Sequence, residues 1–263
     1  MTARQLWSER AGRPGPTLLL LHGLGATGAV WGPLVQHLQR DWPGSWIVCD
    51  LPGHGGSPAY PLYSFGGYAA AAAEVASQEQ EVIAVGHSLG GMVALALGTH
   101  WYGVPVTHAI TLGVKANWAD QELQAARRRA NRSVEWFESE ELALQRFIRV
   151  AGLPENSTLA SPLVSRAIRQ EPEGYRLAMD PAASPTARAM VSPAIIISSM
   201  IGAARSSIRM ACGDKDGGVT LGELQSFDEF AQEFPETGHS PHIERPAEVL
   251  QLILESTGID THS

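Results

Sequence analysis

The stretch Val82-Ile83-Ala84-Val85-Gly86-His87-Ser88-Leu89-Gly90-Gly91 decides how this chain reads. An apolar run stops at a glycine, a serine follows, and a second apolar segment, Leu89 to Leu97, begins at once. The first run suits a strand covered on both faces, and the second suits a helix buried nearly all round. A serine on such a strand-to-helix turn sits on strained backbone, so its neighbours must lack bulk. Gly86 and Gly90 meet that need. The hydroxyl then stands clear at the head of a helix, where the backbone favours developing negative charge. Gly-x-Ser-x-Gly alone would also fit an ordinary turn; its place between strand and helix marks Ser88 as a nucleophile.

Similar punctuation recurs on both sides. Leu18–Leu21 ends at His22-Gly23, Trp46–Cys49 at Asp50, Val106–Leu112 at Gly113, and Ile208–Cys212 at Gly213. Continuous apolar runs of this length belong to a parallel sheet, whose active-edge loops follow the strands. Helical patterns lie between them. Val30, Trp31, Leu34, Val35 and Leu38 mark one apolar face; Tyr63–Ala76 starts at a capping Ser64; and Pro246 opens a last helix with Val249, Leu250, Ile253 and Leu254. The expected fold class is α/β: a doubly wound, mostly parallel sheet flanked by helices.

One region breaks the alternation. Residues 117–188 read as helices and loops without a strand, with a helix start at Ser161-Pro162 and a turn closing Tyr175–Pro181. The expectation is a core domain of residues 1–116 and 189–263 and a helical cap insertion of 117–188. An insertion at the strand C-terminal edge commonly forms a lid or pocket wall, although a structural side layer would read the same way.

Composition narrows the function. The 263 residues fit one large α/β domain, and 44% are apolar. With 19 Lys+Arg against 27 Asp+Glu the net charge is -8, which gives no attraction for nucleic acid or anionic membranes. No run is long enough for a membrane helix, and MTARQLWSER has no apolar signal core. A cytoplasmic protein is expected, with its two cysteines, Cys49 and Cys212, as buried free thiols. The Asn131 and Asn156 sequons then read as chance matches. No metal motif or dinucleotide fingerprint occurs, so no cofactor is expected. Nothing in the sequence sets an oligomeric state.

A serine nucleophile needs a base. Of nine histidines, His239 lies in Gly238-His239-Ser240-Pro241, a loop just before the final helix, with His242 as runner-up. His22, His54 and His87 lie on other active-edge loops and read as structural or pocket-lining; His37, His100, His108 and His262 lack such context. An acid should orient the imidazole. Asp216, among glycines in Gly213-Asp214-Lys215-Asp216-Gly217-Gly218, is preferred over Asp214, with Asp120 third. An oxyanion hole needs two backbone N–H groups. Leu89, after the nucleophile, supplies one, and Leu24, in a loop kept open by Gly25 and Gly28, supplies the other.

Leu21-His22-Gly23, Asp50-Leu51-Pro52-Gly53-His54-Gly55-Gly56-Ser57, Gly86–Gly91, Gly213–Asp216 and Gly238-His239 together resemble the α/β-hydrolase superfamily in order and spacing over nearly the whole chain. The resemblance implies a triad of Ser88, Asp216 and His239, an oxyanion hole of Leu24 and Leu89, and a cap at 117–188. The N-terminal segment is short for the usual opening strand pair, so the sheet is expected to lack its first strand.

Fold does not fix the reaction. Serine at position 88 argues against relatives with a carboxylate nucleophile. Hydrolysis of a small-molecule carboxylic ester demands only the triad and oxyanion hole and is the preferred reading. Carbon–carbon bond hydrolysis and acyl transfer are the alternatives, followed by a non-catalytic small-molecule receptor. Trp118, Trp136 and Phe137, with Phe147 and Met179, are candidates to line the pocket or simply to pack the cap. Arg127-Arg128-Arg129 could attract an acidic substrate or form a solvated helix face.

Overall fold

The computed structural model describes residues 5–153, 155, 158, 161–189 and 191–260; Asn156 and His262 lie outside them. The strands, in chain order, are β1 (Ser8–Gly12), β2 (Thr17–Leu21), β3 (Ser45–Cys49), β4 (Val82–His87), β5 (Val106–Leu112), β6 (Ile168–Glu171), β7 (Gly174–Leu177), β8 (Ser207–Gly213) and β9 (Gln232–Phe234). The helices are α1 (Gly32–Asp41), α2 (Phe65–Val75), α3 (Leu89–Leu97), α4 (Asp120–Ala130), α5 (Glu140–Ala151), α6 (Pro185–Arg188), α7 (Pro193–Ala203), α8 (Leu221–Gln225), α9 (Pro241–Glu244) and α10 (Pro246–Thr257).

Seven strands form one sheet in the order β1-β3-β2-β4-β5-β8-β9. All neighbours pair in parallel except β1, which runs antiparallel to β3. The expected doubly wound sheet is therefore present, opening on a single antiparallel strand. β1 is exposed along its length and carries Glu9 and Arg10, charges that suit an unpaired edge. β2, β3 and β4 are buried throughout.

Alternation along β2 shows how the layers form. Leu19 and Leu21 join a core shared with α2, α3 and α7, whereas Leu18 and Leu20 join the opposite core with α1 and α10. Strand side chains alternate faces, so an unbroken leucine run feeds both layers. The expected local signals act as read. The Ser64 hydroxyl accepts from Gly67 N–H at 3.0 Å and caps α2. Pro246 opens α10, whose Val249, Leu250 and Ile253 are buried. Cys49 and Cys212 are buried free thiols.

Residues 117–188 need one correction. They contain the antiparallel hairpin β6–β7, where only helices and loops were expected. Ile168-Arg-Gln-Glu and Gly174-Tyr-Arg-Leu are too polar to register as strands. Ile168 and Leu177 nevertheless face each other and pack on the core that holds α1, and Gly174 takes φ +128 at the turn. Phe137 adds a further bridge to Tyr175. The Ser161-Pro162 start gives only a single 3-10 turn, Pro162–Val164. Among the described residues, no helix is long and apolar enough to cross a membrane.

Candidate active site

Ser88 stands between β4 and α3 with φ 50 and ψ -110, a conformation that non-glycine residues rarely hold. The glycines beside it are required by space. A Cβ on Gly86 would run into the Gly90 carbonyl, and one on Gly90 into the Leu21 carbonyl. Ser88 N–H donates to the Leu112 carbonyl at 2.8 Å, which pins the turn to β5. Entirely buried, α3 anchors the turn from the other side.

His239 Nδ1–H donates to Asp216 Oδ2 at 2.7 Å, so its Nε2 is left to accept a proton. Asp216 is buried, and its other oxygen accepts Gly218 N–H at 2.9 Å. Burial pushes the Asp216 carboxyl up, but the hydrogen bond and charge interaction with His239 outweigh it and hold the group below its ordinary value. Asp214 does other work: it accepts Thr237 N–H at 2.9 Å and shapes the loop that carries His239. Asp120 is exposed at the first turn of α4.

Two further side chains fix that loop. His87 donates from Nε2 to the His239 carbonyl at 2.8 Å, and the two rings lie 4.7 Å apart. Glu244 accepts from Gly238 N–H at 2.9 Å and from Ser240 N–H at 3.1 Å, gripping the backbone on both sides of His239. Sequence reasoning missed Glu244; an acid in the short helix just after the loop was its one signal. His242, the runner-up base, is buried between His87 and Trp31, with ring centroids 4.6 Å and 4.5 Å away. Burial holds its pKa down to about 3.

The 22–28 loop is held by a second pair of imidazoles. His22 Nε2 accepts Leu51 N–H at 2.8 Å while Nδ1–H donates to the Gly23 carbonyl at 2.8 Å. His54 Nε2 accepts Gly25 N–H at 3.1 Å while Nδ1–H donates to the Pro52 carbonyl at 3.0 Å. Each ring has one donating and one accepting nitrogen, so each is neutral with its tautomer fixed. Among the described residues, no acceptor meets the N–H of Leu24 or Leu89. Gly25 takes φ +81, as an open turn requires. The part played by Gly28 differs from expectation: a Cβ there would strike Val48, and its N–H donates to Asp50 Oδ1 at 2.7 Å.

Asp50 also ties this loop to residues 117–188. Fully buried, it accepts Gly56 N–H at 2.9 Å and Arg166 Nε at 2.8 Å. The Arg166 guanidinium in turn lies 3.3 Å from the Trp7 ring centroid. Alone, burial would raise the Asp50 carboxyl; Arg166 and the two amides outweigh it and hold the group below its ordinary value.

A cavity of about 80 Å³ opens at Ser88, lined also by Leu24, Leu89, Phe65, Met92 and Trp118. It adjoins a second, of about 130 Å³, between α4, α5 and β7. Of the candidate pocket residues, Trp118 borders Ser88, and Met179 lines the second cavity. Trp136 lines a third cavity with Arg169 and Arg176, which shares Val134, Met179 and Pro181 with the second. Phe137 exchanges backbone hydrogen bonds with Tyr175 at 2.7 and 2.9 Å, and Phe147 is buried in the core.

This architecture belongs to a known class. The family profile described as "Alpha/beta hydrolase family" matches residues 18–252, and the chain belongs to that family. Similar solved structures include E-2-(acetamidomethylene)succinate hydrolase, with a TM-score of 0.78 at 19% identity, covering 97% of this chain and 100% of that one. The thioesterase domain from the curacin biosynthetic pathway gives 0.75 at 20% identity, covering 97% and 96%. These likenesses show the fold.

Among curated relatives, the pimeloyl-[acyl-carrier protein] methyl ester esterase of Vibrio vulnificus is 40% identical over 91 residues, 33% of this chain and 32% of that protein. The 2-succinyl-6-hydroxy-2,4-cyclohexadiene-1-carboxylate synthase of Yersinia enterocolitica is 32% identical over 115 residues, 43% of this chain and 41% of that protein. The matched stretch thus spans a third to two fifths of these relatives' length.

Proposed function

We propose that the protein is a serine esterase that hydrolyses small-molecule carboxylic esters, with Ser88 as nucleophile, His239 as base and Asp216 as its orienting acid. The observation that carries this reading is the 2.7 Å bond from His239 Nδ1 to the buried Asp216, on a loop pinned to the strand that presents Ser88. Ser88 Oγ attacks the ester carbon while His239 Nε2 takes its proton, and Asp216 stabilises the imidazolium. The oxyanion formed is held by the N–H groups of Leu24 and Leu89. The intermediate collapses, the leaving alcohol takes the proton from His239, and an acyl-Ser88 remains. Water repeats the sequence, releasing the acid and restoring Ser88.

Residues 117–188 act as a cap over this site, keeping water from the acyl-enzyme and shaping the pocket. The named esterase relative supports ester chemistry. The synthase relative supports a second reading, carbon–carbon bond chemistry by the same residues. Buried free thiols suit a reducing, cytoplasmic setting. Turnover of p-nitrophenyl butanoate by the wild type, lowered about 10³-fold or more in Ser88→Ala, tests the reading. No turnover of that or any ester in a panel of acyl and alcohol sizes would contradict it.

A further inference from the structure

Charge around the two adjoining cavities is unlike that of the chain as a whole. The protein carries a net charge of -8, yet among the described residues the cavity at Ser88 is lined by Lys115 and Arg129 and by no acid. The neighbouring cavity is lined by Arg129, Arg132 and Arg146 against one acid, Glu135. Two of these cations are already neutralised. Lys115 Nζ lies 2.6 Å from Glu122, and Arg146 Nε lies 3.2 Å from Glu135. Among the described residues, Arg129 and Arg132 have no carboxylate within ion-pair distance.

Position singles out Arg129. It lines both cavities, whereas Arg127 and Arg128, its neighbours on α4, line neither. The rest of the shared wall is mainly apolar, with Leu24 and Ala126 common to both cavities and Val150, Leu177 and Met179 beyond. Arg129 and Arg132 are exposed, and unmatched cations beside an apolar wall draw anions. The planar guanidinium fork binds a carboxylate or phosphate with two parallel hydrogen bonds.

We infer that Arg129, backed by Arg132, is the subsite for a negatively charged end of the substrate. The ester then reacts at Ser88 while an apolar chain crosses to an anion at the α4 side. This rests on the esterase reading above and names its substrate class: an amphipathic ester with a terminal carboxylate or phosphate.

Monomethyl esters of the straight-chain dicarboxylic acids from succinic to suberic, compared with methyl alkanoates of equal chain length, test it. A second arm compares 2-phosphoethyl acetate with ethyl acetate and separates phosphate from carboxylate. The charged ester of at least one arm is expected to exceed its neutral partner about tenfold in kcat/KM, mainly through KM. In Arg129→Ala that ratio should fall to about one, and in Arg129→Glu below one. Arg127→Ala should keep the wild-type ratio. Neutral and charged esters cleaved equally well by the wild type would overturn the subsite and leave the esterase reading intact. An unchanged ratio in Arg129→Glu would do the same. Failure to cleave any ester would overturn both.

Discussion

The Nε2–H of His87 meets the backbone carbonyl of His239 at 2.8 Å, joining residues 152 apart in the chain. The bond ties the strand that presents Ser88 to the loop that carries the His239 imidazole, the proposed base. Burial, with the neighbouring imidazoles of His242 and His239, holds the His87 pKa well below its ordinary value, so the ring stays neutral and its tautomer is set by the carbonyl. Removing the donor in His87→Ala should lower kcat about tenfold with a much smaller change in KM. His87→Asn, which can still donate to the carbonyl, should recover part of the loss. Equal losses in the two variants would mean that ring packing, and not the bond, positions the loop.

The two acids of the 213–218 turn should separate cleanly. Asp216→Asn leaves the shape of the turn but removes the anion beside His239, and should cut kcat about 10³-fold or more. Asp214→Asn keeps a side-chain oxygen to accept Thr237 N–H and removes only a charge at an exposed edge, so it should change kcat little. Steady-state rates on one ester decide between them. A reversed order would make Asp214 the acid.

Arg166 and Asp50 form a partly buried pair that joins residues 117–188 to the 22–28 loop. Arg166→Ala strands a buried carboxylate and should destabilise the protein by about 3 kcal/mol. With its folded pKa held below the ordinary value, Asp50 contributes stability above that value and loses it as pH falls through the folded pKa. Urea denaturation of Arg166→Ala should therefore show its deficit at neutral pH, shrinking in strong acid. A deficit unchanged by pH would argue that stacking on Trp7, and not charge, is what was lost.

Burial lowers the His54 and His242 pKa values from 6.5 to about 3. Between these limits the unfolded chain holds protons that the folded chain does not, so stability falls as pH drops below 6.5. Each such imidazole contributes a slope of up to about 1.4 kcal/mol per pH unit. His242→Phe, which replaces a ring packed against Trp31 and His87 by another, should remove about one proton from the uptake on unfolding. Denaturation measured from pH 4.5 to 7.5 reads this directly, and an unchanged slope would refute it.

Much of this was legible in the sequence because the sheet centre is written in continuous apolar runs. Leu18–Leu21 and Val106–Leu112 each end where an active-edge loop opens, and Val82–Val85 ends two residues before one. Asp216 and His239 could be chosen because glycines and a position before the last helix mark such loops. The β6–β7 hairpin was hidden, since it is held by strand pairing, the Phe137 bridge and the Arg176–Glu171 ion pair, with only Ile168 and Leu177 reaching the core. Arg166 was hidden for another reason: its carboxylate partner Asp50 is far away in sequence, and nothing local announces a long-range partner. Glu244 was overlooked although it grips backbone only four and six residues away. Trp136 and Phe137 show the limit for pockets: aromatic residues in a stretch that reads as helical look alike whether they face a substrate or, as here, lie in a loop beside a hairpin.

The central claim is that Ser88 is an activated nucleophile served by His239. Labelling with a fluorophosphonate, followed by peptide mapping, tests it most directly, because only an activated serine attacks this electrophile at an appreciable rate. The account predicts one stoichiometric adduct on Ser88, formed far more slowly in Asp216→Asn and absent in Ser88→Ala. An adduct on another serine, or an ester-cleaving protein that the reagent leaves both unlabelled and active, would contradict it.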